Sequence, residues 1–281
     1  MRKLKYTVDR KTLNSVYITF IRPKLEYASI IWHDCTQAER DLLEGLQLNA
    51  ARIVTGAKRG TSHERIYLEC GWQTLATRRE NTQLAQFYKM VNHETPEYLS
   101  NLVPNSVGED VNIVRLRSEN KLRTVRCRTT KYQKSFLPNV VNLWNNLDDE
   151  HVQVESFVSF KSRLAQDDQV NDLYLYGKRK LSMIHAQLRM YCSNLNCHLF
   201  SLPVIDNEQC PCGSRVEDTR HFFMFCPLYD NIRAALVDFF ASIDLEINEY
   251  NLLHGIDGES IELNLKLFEL VHEYIELSGR F

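Results

Sequence analysis

The chain lacks both a long apolar run and a strong net charge. Its longest apolar stretch, residues 16–32, is interrupted by Arg22, Lys24 and Glu26, whereas a membrane-spanning helix needs about 20 predominantly apolar residues. No apolar segment follows the basic residues at the start, so we expect no signal peptide and no membrane association. The formal net charge is −2 over 281 residues, so the overall charge does not indicate nucleic-acid binding.

Cysteine is too sparse for a secreted disulfide framework. The chain contains eight cysteines, and three of them belong to one Cys/His motif. We therefore expect an intracellular protein, nuclear or cytoplasmic, in a reducing compartment. No catalytic constellation is evident either, because Cys35, Cys70 and Cys127 have no base or orienting group nearby in sequence. Hydrophobic residues make up 44% of the chain, enough for a substantial core.

The most informative motif is Cys-x-Cys-x8-His-x4-Cys near the C-terminal end. It comprises Cys210, Cys212, His221 and Cys226, within 17 residues. Three thiols and an imidazole form a complete tetrahedral set for Zn²⁺ and leave no position for a reactive water. The motif therefore predicts a structural zinc site and not a hydrolytic one.

The surrounding residues fit this prediction. Gly213 can adopt the positive φ that a loop around a metal requires. His221 and Cys226 would diverge by about 140° on one α-helix, so we expect Cys226 to lie just before a new helix that begins at Pro227. Arg215 and Arg220 could offset the cluster's charge. The cramped Cys-x-Cys pair leaves open a substitute ligand from upstream, and the candidates are Cys192, Cys197 and His198.

Apolar periodicity and capping residues predict a mainly α-helical fold. Capping boxes at Thr36-x-x-Glu39 and Thr61-x-x-Glu64 would begin two helices, and Thr74 would cap a third. Pro23 is expected to kink or split the first helix. We predict two domains, residues 1–165 and 172–281, separated by a polar linker at residues 166–171. The first would be a helical bundle with a basic loop at 105–133, and the second a small zinc-stabilised helical module.

Charge is distributed unevenly along the chain. Residues 111–134 contain eight bases and one acid, whereas residues 241–281 contain nine acids and two bases. The basic stretch could contact nucleic-acid phosphates, or it could be a solvated loop that balances the acidic tail. The expected phosphate-contacting residues are Arg115, Arg117, Arg123, Arg126, Arg128 and Lys131. A second basic surface could lie on a helix at 178–191, with Lys178, Arg179, Lys180, His185 and Arg189. The aromatic residues around the metal motif are expected to pack as a small core under the metal, and Phe223 is the better candidate if one of them stacks on unpaired bases.

Several stretches together resemble the region that follows the polymerase palm in jockey-like non-LTR retrotransposon (LINE) reverse transcriptases. They are residues 17–28 (YITFIRPKLEYA), 46–56 (LQLNAARIVTG), 71–79 (GWQTLATRR) and 143–147 (LWNNL). Residues 210–213 (CPCG) and 217–229 (EDTRHFFMFCPLY) are similar to the zinc-binding tail of the same polyproteins. The resemblance spans roughly residues 3 to 240.

The resemblance implies a thumb-like helical region plus a Cys/His tail that holds RNA or an RNA–DNA hybrid. In such a protein the polymerase chemistry would use Mg²⁺ in a palm, next to the fingers of a longer polyprotein. The pairs Asp148-Asp149 and Asp167-Asp168 lack the palm's strand-turn-strand setting, so we expect this chain to be a fragment or decayed copy that is inactive as a polymerase alone. The alternative is a retrotransposon-derived structural or interaction protein with no nucleic-acid role, which docks a partner through its last helix.

Overall fold

The computed structural model describes residues 1–106, 121–154, 156–165 and 170–281. These residues are mainly helical and include no β-strand, so the prediction of a mainly α fold is confirmed. The nearest approach to strand pairing among them is an isolated antiparallel bridge between Ser106 and Leu122. None of their helices is both long and apolar enough to cross a membrane.

The longest helices are α4, α6 and α16, and several shorter helices connect them. In chain order the α-helices of the described residues are α1 (Arg10–Val16), α2 (Arg22–Glu26), α3 (Ser29–Trp32), α4 (Gln37–Thr55), α5 (His63–Cys70), α6 (Leu75–Val91), α7 (Glu97–Ser100), α8 (Thr130–Gln133), α9 (Phe136–Asn145), α10 (Asp149–Val152), α11 (Phe157–Leu164), α12 (Arg179–Arg189), α13 (Asn196–Ser201), α14 (Asp230–Ser242), α15 (Glu249–His254) and α16 (Ile261–Leu277). Short 3₁₀ turns occupy Arg2–Leu4, Asp172–Leu175 and Pro227–Tyr229, and π-helical turns occupy Tyr17–Ile21 and His221–Phe225.

Local capping signals position the starts of these helices. Thr36 and Glu39 form the predicted capping box, since the Thr36 N–H donates to Glu39 Oε2 at 2.8 Å and the Glu39 N–H to Thr36 Oγ1 at 3.3 Å. Thr74 caps α6 as predicted. The cap predicted at Thr61 is wrong, because Ser62 accepts from the Arg65 N–H and begins α5 one residue later. The break expected at Pro23 takes the form of a π-helical turn just before α2.

The chain folds into two compact units. The first unit comprises residues 1–22, 46–72 and 170–281, and the second comprises residues 23–45 and 73–169. This division differs from two consecutive domains at 1–165 and 172–281, because two N-terminal segments belong with the C-terminal part of the chain. Of the predicted linker, residues 166–169 lie outside the described residues.

The first unit has an apolar core built mainly by α12, α14, α15 and α16. Leu188, Leu236, Leu252, Leu267 and Val271 are fully buried in it. The last helix, α16, contributes its apolar face to this core. The face that was to dock a partner in the alternative hypothesis is therefore already covered within the same unit.

The second unit is organised around aromatic side chains of α6, α9 and α11. The Tyr88 and Phe160 rings stack with centroids 4.5 Å apart, and the Phe87 ring meets Trp144 edge to face at 5.4 Å. Phe87 and Phe160 are fully buried. Aromatic pairs of this kind add roughly 0.5–1.5 kcal/mol each to the free energy of area burial.

One buried carboxylate joins the three segments of the first unit. Glu69 on α5 pairs with Arg10 of α1 and accepts two hydrogen bonds from Arg189 of α12, at 2.8 and 2.9 Å. All three side chains are at most 3% exposed. Burial alone would raise the pKa of the Glu69 carboxyl, but Arg189 and Arg10 together hold that pKa below its ordinary value of 4.5.

We expect Glu69→Gln to destabilise the first unit by about 3–5 kcal/mol, because the change leaves two buried guanidinium groups without an anion. In the native protein the contribution of Glu69 is present above its ordinary pKa of 4.5 and is lost as the pH falls through the depressed folded-state value. Urea unfolding at pH 7 and at acidic pH, followed by hydrogen exchange in α5 and α12, measures both effects.

The control is Asp230→Asn. It also removes an arginine's acid partner in the first unit, but the Asp230 side chain is 63% exposed, so the expected loss is about 1 kcal/mol or less. Equal losses in the two variants would contradict the role assigned to Glu69.

Candidate functional site

The four residues of the Cys/His motif come together at one point of the first unit. Cys210 and Cys212 lie on a tight loop, in which the Cys210 N–H donates to the Ser214 carbonyl at 2.9 Å and the Gly213 N–H donates to the Cys210 carbonyl at 2.9 Å. Gly213 has φ of +94°, the positive value expected for this position. The loop directs both sulfur atoms towards the segment that carries His221 and Cys226.

The second pair of ligands lies on a π-helical turn. In this turn the Cys226 N–H donates to the His221 carbonyl at 2.8 Å, a hydrogen bond from residue i+5 to residue i. The wider turn brings two positions five residues apart onto one side, which an α-helix would not do. Cys226 itself is extended, and a 3₁₀ turn begins at Pro227, as the sequence predicted. The His221 N–H is satisfied by Asp218 Oδ1 at 2.7 Å.

The four ligand atoms lie close enough together to hold one metal ion. All lie within 4.8 Å of one another. The Cys210 and Cys226 sulfurs are 3.8 Å apart, and His221 Nε2 is 3.3 Å from the Cys212 sulfur. Two sulfurs bonded at about 2.3 Å to one tetrahedral ion are separated by about 3.8 Å. The cluster can therefore hold a metal ion through four protein ligands.

The thiols differ in how readily they lose a proton. Burial raises the pKa of Cys210 to about 12 and also raises the pKa of Cys226. Burial acts in the same direction on Cys212, but hydrogen bonds, of which the Ser214 N–H makes the largest contribution, bring the pKa of Cys212 below its ordinary value. A metal that takes all three sulfurs as thiolates must release the remaining protons, so its affinity rises with pH.

An ion pair between buried Glu217 and partly buried Arg280 supports the metal loop. Glu217 is 1% exposed, and one of its carboxylate oxygens lies 4.0 Å from the Cys210 sulfur. Arg280 donates to both Glu217 oxygens, at 2.6 and 2.7 Å, and to the Asn194 carbonyl at 3.1 Å. Arg280 therefore places a positive charge beside the Glu217 carboxylate, which lies next to the Cys210 sulfur. Sequence reasoning missed this pair because 63 residues separate its members.

A second arginine fixes the backbone of the ligand segment. Arg233 of α14 is 8% exposed. Its guanidinium donates to the carbonyls of Phe223 and Cys226 at 2.7 and 2.6 Å. The carbonyls next to the ligands thus have partners. Of the predicted charge-balancing residues, Arg215 is exposed and Arg220 lies over the Phe225 ring at 5.5 Å.

The aromatic residues of the motif mostly form core. Phe222 and Phe223 are fully buried, so the assignment of Phe223 to base stacking is wrong. Phe223 stacks on Tyr274 of α16, with centroids 5.5 Å apart. Phe225, in contrast, is 59% exposed.

The upstream candidates for a substitute ligand lie outside the cluster. Cys192, Cys197 and His198 belong to no group of metal-ligand side chains found among the described residues. His198 Nδ1 lies 2.8 Å from the Ser193 hydroxyl, and burial lowers the pKa of His198 to about 4. All eight cysteines are free.

The described part of the basic loop, residues 121–134, presents its bases to solvent. Leu122 is buried in the core of the second unit, and Asn145 of α9 holds its backbone through hydrogen bonds of 2.9 and 2.8 Å. Six bases and no acids lie in this segment. The exposed bases are Lys121, Arg123, Arg126, Arg128, Lys131 and Lys134. Arg115 and Arg117, also predicted to contact phosphates, lie outside the described residues.

Of the second predicted basic surface, at α12, only Lys178 and Lys180 are exposed. His185 and Arg189 are buried, at 1% and 7% exposure. Arg179 donates to the carbonyls of Lys5, Ile53 and Val54 within the first unit, at 2.9, 2.5 and 2.6 Å. Arg179 and Arg189 therefore make their hydrogen bonds inside the unit, and burial holds the pKa of His185 well below its ordinary value.

No family model, no curated protein and no solved structure matches the chain. The resemblance to retrotransposon reverse transcriptases therefore stays a prediction.

We expect Arg280→Gln to weaken metal binding by roughly 10- to 100-fold, the usual effect of losing a group that supports the ligands. The change leaves the buried Glu217 carboxylate uncompensated beside the Cys210 thiolate. Competition for Zn²⁺ with a chromophoric chelator measures the affinity. Arg215→Gln removes an equal charge from an exposed residue next to the metal loop and should change the Zn²⁺ affinity less than about twofold. Similar losses in both variants would show a general charge effect and contradict the support role.

Proposed function

We propose that the chain is a nucleic-acid-binding part of a retrotransposon-type RNA-directed DNA polymerase. In this proposal the second unit holds RNA or an RNA–DNA hybrid through residues 121–134, and Zn²⁺ stabilises the first unit. The observation that carries the proposal is the basic segment, whose bases face solvent while Leu122 anchors it to the core. A segment with six exposed cations and no acids suits a ligand that presents phosphates at regular intervals. The family resemblance adds support of a different kind.

Zinc is the metal that the donor set favours. Three thiolates and one imidazole are soft to intermediate ligands, and Zn²⁺ takes such sets at tetrahedral sites. With four protein ligands the ion has no open position, so it supplies structure and no reaction step. Bound Zn²⁺ would hold the loop at 210–214 against the π-helical turn.

The proposal assigns no polymerisation step to these residues. Asp148 is exposed next to the start of α10, and Asp167-Asp168 lies outside the described residues. Mg²⁺ and the catalytic carboxylates would belong to a palm elsewhere in a longer polyprotein. The competing idea of a partner-docking protein loses its main support, because α16 packs its apolar face into the first unit.

We expect one Zn²⁺ per chain in the purified protein and none in Cys226→Ser, since three remaining ligands cannot close the tetrahedron. Elemental analysis after dialysis measures this directly. Cys35→Ser is the matched control, because Cys35 lies outside the cluster, and it should keep its zinc. A native protein free of zinc, or zinc retained in Cys226→Ser, would contradict the assignment.

We expect salt-sensitive binding of RNA and of an RNA–DNA hybrid, weakened in the double variant Arg126→Gln, Arg128→Gln. Each lost phosphate contact should reduce the slope of log affinity against log salt by about 0.7 to 0.9. Fluorescence anisotropy at several salt concentrations gives the slopes.

The matched control for this measurement is Arg2→Gln, Arg59→Gln, which removes two exposed arginines of the first unit. An equal slope change in both double variants would mean that only net charge matters. Absence of binding at low salt would end the nucleic-acid proposal and leave a metal-stabilised helical protein.

A further inference from the structure

A small polar cavity in the second unit contains a buried arginine that has no acid partner among the residues that the structure describes. The cavity has a volume of about 240 Å³ and lies between α6 and the segments that precede α4 and α9. Its lining includes Arg40, Arg79, Gln83, Lys134 and Asn139. Clefts for drug-sized ligands have volumes of roughly 300–1,000 Å³, so this cavity suits a smaller group.

Arg79 is the unusual member of this lining. Its side chain is 94% buried, since its relative exposure is 6%. Within the part of the chain that the structure describes, its Nη1 has no hydrogen-bond partner. Its guanidinium carbon lies 5.7 Å from the centre of the Trp32 ring. A cation–π contact contributes about 0.5–1 kcal/mol at exposed sites and about 2 kcal/mol or more when desolvated, whereas burial of an ion costs several kcal/mol.

The neighbouring groups add donors and positive charge. Arg40 is held at the cavity by hydrogen bonds from Nε to the Cys35 carbonyl at 3.1 Å and from Nη2 to the His33 carbonyl at 3.0 Å. Lys134 is exposed, and its carbonyl lies 2.9 Å from His33 Nε2. Asn139 donates to Gln83 Oε1 at 3.0 Å, which fixes both amides.

Two carboxylates also line the cavity, those of Asp34 and Glu80. Both are exposed, so water screens their charge, whereas Arg79 is buried. His33 offers little to a ligand, because its second ring nitrogen lies 2.8 Å from the Ile30 carbonyl. Three cations face two exposed anions, and the buried charge is positive.

We propose that this cavity binds a single phosphate group, with Arg79 as its buried contact and Lys134 as its exposed one. A guanidinium matches the oxygens of a phosphate with paired hydrogen bonds, and such bonds are strongest where water is excluded. Lys134 is also the last base of the basic segment, so the phosphate belongs to the nucleic-acid backbone that this segment holds. The assignment of the phosphate to a nucleic-acid backbone rests on the proposed function, whereas the phosphate site itself does not.

The first test uses inorganic phosphate and thermal unfolding. Phosphate is added against chloride at constant ionic strength, and we expect a saturable rise in the melting temperature of the native protein. Arg79→Met should abolish this rise and, in chloride alone, should melt no lower than the native protein, because it removes an uncompensated buried charge. Arg163→Met, at an exposed arginine of the same unit outside the cavity and the basic segment, should keep the full response.

Two results would overturn the phosphate site. One is an equal response to phosphate in Arg79→Met and the native protein, since phosphate also stabilises proteins by general exclusion from their surfaces. The other is a large loss of stability of Arg79→Met in chloride alone, which would make Arg79 structural. Arg79→Lys and Lys134→Met extend the first criterion, because an undiminished phosphate response in both would be the same contradiction.

The second test separates this inference from the proposed function. RNA affinity is compared between Arg79→Met and Arg59→Met, and we expect the former to bind on the order of tenfold more weakly. Equal RNA affinities of the two variants would show that the phosphate in the cavity does not come from RNA, while the proposed function stands. A native protein that binds inorganic phosphate and no RNA would overturn the proposed function and leave the phosphate site intact.

Discussion

The ion pairs of Glu69 determine which segments of the chain form the first unit. Arg10, Glu69 and Arg189 come from three parts of the sequence, and each charge would be costly to bury alone. Arg189 also lies over the Tyr174 ring at 4.0 Å and donates to the Leu253 carbonyl at 3.1 Å. Because the cations and the carboxylate compensate one another only when assembled, the unit that carries the metal cluster requires its N-terminal segments as well as residues 170–281.

The metal cluster is an extension of this unit's apolar core. The Tyr274 hydroxyl of α16 donates to the Phe222 carbonyl at 2.6 Å, and the Phe223 ring stacks on Tyr274. Arg233 of α14 donates to the Phe223 and Cys226 carbonyls of the same segment. Two long helices thus position the segment between His221 and Cys226. The acids of α16 face solvent, while its apolar side forms the support.

Local signals could be predicted from the sequence, and long-range pairings could not. Some residues act on helix starts only three or four positions away, so their effects can be predicted from the sequence. They are Thr36, Thr74 and Pro227. The four Cys/His ligands were found for the same reason, since one short motif contains all of them. The error at Thr61 is small, because Ser62 competes for the same capping role and gains the hydrogen bond.

The π-helical turn and the ion pairs required three-dimensional information. Alpha-helical geometry separates His221 from Cys226, and only the hydrogen bond from Cys226 to His221 reveals the wider turn. Glu217 and Arg280 show no shared periodicity, and neither do Glu69 and Arg189. The basic helix at 178–191 was misassigned because charge alone does not distinguish an arginine facing solvent from one that satisfies buried carbonyls.

The buried arginines of this protein show how that distinction is made. Arg10 and Arg189 each meet a carboxylate, and Arg233 meets backbone carbonyls as well as Asp230. Arginine keeps its charge inside proteins, so it cannot reduce the cost of burial by losing a proton. Arg79 is as buried as Arg189 but lies against an aromatic ring beside a polar cavity. The chain itself compensates Arg10, Arg189 and Arg233. Among the described residues no acid pairs with Arg79 and its Nη1 has no hydrogen-bond partner, so the phosphate that we propose would supply the compensation through the cavity.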